Sequence, residues 1–204
     1  DDNVQNHQLM LLHGAQGKGK STFIRHLLPP ELKDYYRNGM IIPENNNHLL
    51  QLSSCLLINL DEFDTLSPER MQNLKSLITQ DVVNERKVYD IQNYTYIRRA
   101  SFIASTNNPH CMPDVKENRR ILFSTLLNID YHTPVNHEGI YAQAYALYRQ
   151  GFQYWYENEE ITFLNNRNEA FRQKDPIEEN LFFYFRAARQ NDIQAQWYPA
   201  SYLL

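Results

Sequence analysis

Gly14-Ala15-Gln16-Gly17-Lys18-Gly19-Lys20-Ser21, preceded by the apolar run Leu9-Met10-Leu11-Leu12, decides how this chain is read. The stretch fits G-x-x-x-x-G-K-[ST], a loop whose backbone N–H groups cradle phosphates. The residues from Ser21 to Leu28 read as a helix, so the local order is strand, glycine loop, helix. That order turns the loop amides and the helix start toward an anion. Glycine supplies the positive φ and the close backbone approach such a loop needs. Lys20 is placed to reach the β- and γ-phosphates of a nucleoside triphosphate, and the Ser21 hydroxyl to hold Mg²⁺. Ala15, Gln16, Lys18 and Thr22 complete the cradle. The pattern implies ATP with Mg²⁺; the alternative is a flexible glycine turn.

A second apolar run, Cys55-Leu56-Leu57-Ile58-Asn59-Leu60, ends at Asp61-Glu62. Such a run, bounded by polar segments, reads as a central strand of a parallel sheet. Asp61 at its carboxyl end would hold Mg²⁺ beside Ser21. Glu62 would polarise an attacking water as general base, and Asp64 ranks below this pair. A third buried strand, Ser101 to Thr106, ends at Asn107. An amide there can bond the γ-phosphate as a sensor of nucleotide state, whereas Asn108 before Pro109 reads as a turn residue. Arg119-Arg120 precede another apolar run. Arginine suits stabilisation of a transferring phosphoryl group, in cis or from a neighbouring subunit.

The formal net charge is −4, so any nucleic-acid contact must come from a local basic patch. Lys75, Arg86, Lys87, Arg98 and Arg99 form the best candidate, flanking a hairpin expected over Val88 to Ile97. Tyr94 and Tyr96 within it could stack on bases; the alternative is ordinary solvated charge around a strand pair. Cys55 and Cys111 are too few for a disulfide framework and lack zinc-site spacing. No run is long enough to span a membrane and no signal-peptide pattern opens the chain, which leads to the expectation of a soluble cytosolic protein.

At 204 residues the chain can bury one real core. Its expected architecture is α/β: a nucleotide-binding core with a mostly parallel sheet flanked by helices over 1–135, then a helical subdomain over 136–204. Ser67-Pro68-Glu69 starts a helix cleanly, and Asp175-Pro176-Ile177-Glu178 starts another. Ile140, Ala144, Leu147, Tyr148, Phe152 and Trp155 recur at helical spacing and predict one buried stripe. The aromatics Phe182 to Phe185 are likewise expected in a helical core. A polar start and a stop at Leu204 within an apolar run lead to the expectation of a domain excised from a longer protein.

In this order the motifs resemble the virulence-associated protein E family of bacteria, prophages and mobile elements. The resemblance runs through Gly14 to Phe23, Leu74-Lys75, Ser105-Thr106-Asn107 and Glu117-Asn118-Arg119-Arg120, then more loosely through Ala142 to Phe185. The family has Gly before Asn-Arg-Arg where this chain has Glu117. It is similar to superfamily-3 helicases and replication initiators with an AAA+-like core. The resemblance implies a DNA helicase-type ATPase, assembled as a ring, often a hexamer, with an arginine finger in trans. It also implies a primase-type or DNA-binding module in the same full-length chain. Two other classes stay open: a nucleotide-gated switch indifferent to DNA, and a P-loop kinase.

Overall fold

The computed structural model describes residues 6–41, 45–61, 63–85, 92–112, 118–173, 176–186, 188, 192–193, 195–196 and 199. The strands are β1 (Leu9–His13), β2 (Tyr36–Asn38), β3 (Leu57–Leu60), β4 (Val82–Glu85), β5 (Tyr94–Ile97), β6 (Ser101–Thr106) and β7 (Ile121–Thr125). The helices are α1 (Lys20–Arg25), α2 (Asn46–Ser54), α3 (Pro68–Thr79), α4 (His137–Arg149), α5 (Asn158–Glu169) and α6 (Pro176–Tyr184).

Five strands form one parallel sheet in the order β2-β3-β6-β1-β7. The parallel α/β class expected from the buried runs is the observed one. Because all five run the same way, their carboxyl ends share one edge, where ligands of open α/β sheets bind. The sheet's two faces are covered unequally. Leu9, Leu11, Ile58, Leu60, Phe102 and Phe123 belong to the main core with Met71, Leu74 and Ile78 of α3. On the other face Leu12, Ile24 and Ile103 form a smaller cluster, while Met10 stays exposed. A six-residue α1 is too short to shield that whole face.

Local chemistry sets the boundaries. Ser67 accepts from the Arg70 N–H at 3.3 Å, and Pro68 begins α3. Pro29 follows the first helix, which stops at Arg25 rather than Leu28. Two elements escaped the sequence. Helix α2 begins within the Asn45-Asn46-Asn47 run that reads as loop, and Tyr36–Asn38 leaves a 3-10 turn to become the sheet's edge strand. The hairpin also differs: its strands are Val82–Glu85 and Tyr94–Ile97, with Val82 opposite Ile97.

The C-terminal third departs further from expectation. No residue of α4 is buried, and Ile140, Tyr148, Phe152 and Trp155 are about half-exposed. The predicted stripe is present, but it is only partly covered by the described residues. Helix α4 is tied at its start, where His137 Nε2 meets the His26 carbonyl at 2.7 Å. Phe183, Tyr184 and Phe185 are exposed as well; the Phe182 side chain is outside the described set. Helix α5 instead returns to the core. Buried Asn168 donates to the Ile121 carbonyl at 2.8 Å, and Phe171 stacks on Phe123 with centroids 3.5 Å apart. These contacts run from the expected helical subdomain to strand β7 of the sheet.

Candidate functional site

The glycine loop leaves the carboxyl end of β1. Gly17 and Gly19 hold φ of 76° and 82°, the left-handed region that L side chains adopt at a cost. Successive N–H groups in such turns converge into an anion-binding concavity. The Gly14 N–H donates to the Thr106 carbonyl at 3.2 Å, pinning the loop to the tip of β6. Lys20 is buried, and its ammonium donates to the Gly14 carbonyl at 2.6 Å, the Ala15 carbonyl at 2.9 Å and Asn107 Oδ1 at 2.7 Å. Burial lowers its pKa, and the Asp64 carboxylate opposes that shift. Ser21 and Thr22 are exposed and, with Gln16, Lys18, Ser105 and Asn107, line a cavity of about 370 Å³.

The carboxylates divide between two strand ends. Asp61 follows β3 and accepts from Asn38 Nδ2 and, at 3.0 Å, from Asn59 Nδ2. Asn59 is fully buried and also donates to Asn38 Oδ1 at 2.7 Å. The two asparagines fix the Asp61 carboxylate, and sequence reasoning missed both; a polar Asn59 inside an apolar run was the available signal. Strand β6 lies between β3 and β1, so two strand spacings, about 10 Å, separate Asp61 from the loop's strand. The two residues that could hold a cation, Ser21 and Asp61, thus follow strands that are not neighbours in the sheet. Asp64, ranked low on sequence, accepts from the Thr106 hydroxyl and, at 3.3 Å, from the Asn107 N–H. It is the carboxylate that acts on Lys20. Glu62 lies outside the described residues.

Arg119 and Arg120 occupy the 3-10 turn Asn118–Arg120 just before β7. Ile121 stands opposite Leu9 and Thr125 opposite His13. The arginines are therefore at the amino end of the sheet, and the glycine loop is at the carboxyl end. The five residues of β1 span about 16 Å, so neither arginine reaches the loop of its own chain. They line a larger cavity, about 470 Å³, together with Tyr154, Trp155 and Tyr156.

The virulence-associated protein E-like domain matches residues 3–173 of the 204. The chain belongs to that family. No curated protein matches it. Among solved structures it is similar to the NrS-1 C-terminal region. The A form of that region, without ligand, is 16% identical, with TM-score 0.45, 82% of this chain covered and 34% of that chain. Another apo structure of it is 17% identical, with TM-score 0.46, 82% of this chain covered and 36% of that chain. The chain thus spans about a third of the length of those two. The family match ends at residue 173, where Gln173 donates to the Met112 carbonyl at 2.8 Å and closes the core around α5.

Two of the five basic residues expected to form a surface patch in this family member are buried. Lys75 and Arg98 are each only 4% exposed. The Arg98 guanidinium donates to the carbonyls of Gln80 at 2.7 Å, Ala100 at 2.5 Å and Asn6 at 2.8 Å. It is a structural clamp, and its charge is spent on main-chain oxygens. Neither residue can touch a nucleic-acid backbone from where it sits. They were expected on the surface because they flank a hairpin over Val88 to Ile97; Tyr94–Ile97 is one of its strands, and its partner is Val82–Glu85. Arg99 is exposed; Arg86 and Lys87 lie outside the described residues. Tyr94 is exposed, whereas Tyr96 packs against the main core. Among the described residues no helix is long and apolar enough to cross a membrane.

Proposed function

We propose that this chain is the ATP-hydrolysing core of a DNA-acting, helicase-type motor assembled from several copies. The observation that carries the proposal is the lysine bridge: Lys20, rising from a loop with two left-handed glycines, spans loop carbonyls and Asn107 on the next strand. Its hydrogen bonds are to neutral oxygens, which phosphate oxygens would outcompete, since their negative charge adds a Coulomb attraction to the ammonium.

In this reading the amides from Ala15 to Thr22 hold the phosphates and Lys20 turns from the Gly14 and Ala15 carbonyls to the β- and γ-oxygens. Ser21 and Asp61 hold Mg²⁺, which when bound neutralises charge on the phosphate oxygens. Asn107, released by Lys20, bonds the γ-phosphate and the attacking water. Asp64 positions Asn107 through its N–H. Glu62 accepts the proton of the water as oxygen attacks phosphorus and the bond to the ADP oxygen breaks. Arg119 and Arg120, at the far end of the sheet, serve the nucleotide of a neighbouring copy. The partly covered apolar face of α4 is the kind of surface that assembly covers.

The burial of Lys75 and Arg98 on a chain of net charge −4 favours a second reading, a nucleotide-gated switch that ignores DNA. Steady-state ATP hydrolysis, measured with and without single-stranded DNA across protein concentration, separates the two. A rate per chain that rises with concentration and with DNA supports the motor. A flat, DNA-indifferent rate supports the switch, and no hydrolysis above that of Lys20→Ala removes both.

A further inference from the structure

The strand order gives the glycine loop two unlike flanks. Toward β6 and β3 lie Asn107, Asp64 and Asp61; toward β7 lies the connection from Leu126 to Asn136. If phosphates occupy the loop with the γ end facing the carboxylates, the nucleoside end must leave on the β7 side. One aromatic residue of that connection meets the loop. The ring of Tyr131 rests on Gly19 so closely that a Cβ added to Gly19 would come within 2.0 Å of a ring carbon. Tyr131 is half-buried and also lines the cavity formed by the loop. Its backbone is held in place by a tight turn. Asp130 accepts from the N–H groups of His132 and Thr133, both at 3.1 Å, and from the Thr133 hydroxyl at 2.5 Å. Leu126 anchors the start of the connection by donating to the His13 carbonyl at 2.8 Å. The ring is thus presented to the cavity by a fixed turn.

We infer that Tyr131 is a base-binding residue, the platform on which the base of the bound nucleotide stacks. The inference rests on the glycine loop being the phosphate site. It concerns a flat apolar face for a flat heterocycle, and aromatic pairs of this kind prefer offset or tilted contact.

The test compares ATP with inorganic tripolyphosphate, which carries the phosphates and no base. Dissociation constants for both, with Mg²⁺, are measured on the whole chain for wild type, Tyr131→Phe, Tyr131→Leu, Tyr131→Ala and Lys20→Ala. Tyr131→Leu keeps bulk against Gly19 and removes the π face. With stacking worth about 1–3 kcal/mol per base, Tyr131→Leu and Tyr131→Ala are expected to weaken ATP about 5- to 150-fold. Tripolyphosphate affinity should stay at the wild-type value in Tyr131→Leu, and Tyr131→Phe should bind both ligands like wild type. Equal losses for ATP and tripolyphosphate in Tyr131→Leu would overturn the proposal and leave Tyr131 as a prop for the loop. An unchanged ATP affinity in Tyr131→Leu would overturn it too. Failure of the phosphate reading looks different: wild type and Lys20→Ala would then bind tripolyphosphate equally poorly, whatever stands at 131.

Discussion

Lys20 Nζ donates to Asn107 Oδ1 across 2.7 Å, joining the helix after β1 to the residue that follows β6. One bond links the cation that would hold phosphate to the amide that would report on it. Asp64 grips the same asparagine from the other side, through its N–H at 3.3 Å.

Asn107→Ala is therefore expected to separate binding from turnover. Losing one preorganised hydrogen bond at a reacting centre costs about 10²–10³-fold in kcat, while the loop amides keep nucleotide affinity close to wild type. Steady-state hydrolysis beside equilibrium ATP binding checks this. Wild-type turnover in Asn107→Ala would remove the sensor role.

The arginines are expected to act between copies. Arg119→Ala and Arg120→Ala are each inactive in the case of the residue that serves as finger, as is Glu62→Gln. Mixing that arginine variant with Glu62→Gln should restore hydrolysis, because mixed assemblies contain some interfaces with both groups intact. Titrating one variant into the other at fixed total protein measures it. Absence of rescue at every ratio would leave the arginines a structural role at the amino end of the sheet.

Arg98→Ala should cost stability and leave DNA affinity alone. Removing the guanidinium takes the donor from three carbonyls, that of Ala100 buried, and such a loss costs about 1–3 kcal/mol. Urea unfolding reads the cost. Arg99→Ala is the counterpart: exposed, it should leave the urea midpoint in place. If the Arg98→Ala chain unfolds at the wild-type midpoint, the clamp contributes nothing.

Alkaline stability should depend on Cys111. Burial pushes its thiol up to about 11, while an exposed thiol ionises near pH 8.5. Below about pH 8.5 both states keep the proton, so folding has no pH dependence from this group. Between there and about pH 11 the unfolded chain releases its proton first, and stability falls as pH rises. Cys111→Ala is expected to flatten that decline between about pH 8.5 and 10, in urea melts at stepped pH. Parallel slopes for the two proteins would show the thiol ionising normally in the fold.

Much of the α/β core was legible because its signals are short-range. A loop needing left-handed backbone at Gly17 and Gly19 announces itself through glycine. Strands buried on both faces, such as Ser101–Thr106, read as unbroken apolar runs. The Ser67 cap and Pro68 mark the start of α3 without any tertiary information. Helix α2 and edge strand β2 were illegible, since a polar asparagine run and a three-residue strand carry no periodicity long enough to count.

The chain's own residues determined that strand, glycine loop and helix follow one another, and that acids and amides end the neighbouring apolar runs. Spacing along one strand of chain suffices for that. Which partners meet was decided only by the strand order β2-β3-β6-β1-β7. It set Asn107 against Lys20, gave Asp64 rather than Asp61 the position beside them, and placed Arg119 and Arg120 at the far end. The same holds for burial. Periodicity names the face of α4 that is apolar, but burying it requires another surface, and among the described residues that face is only about half covered. Sequence spacing is one-dimensional, whereas burial and contact depend on which elements the sheet brings side by side.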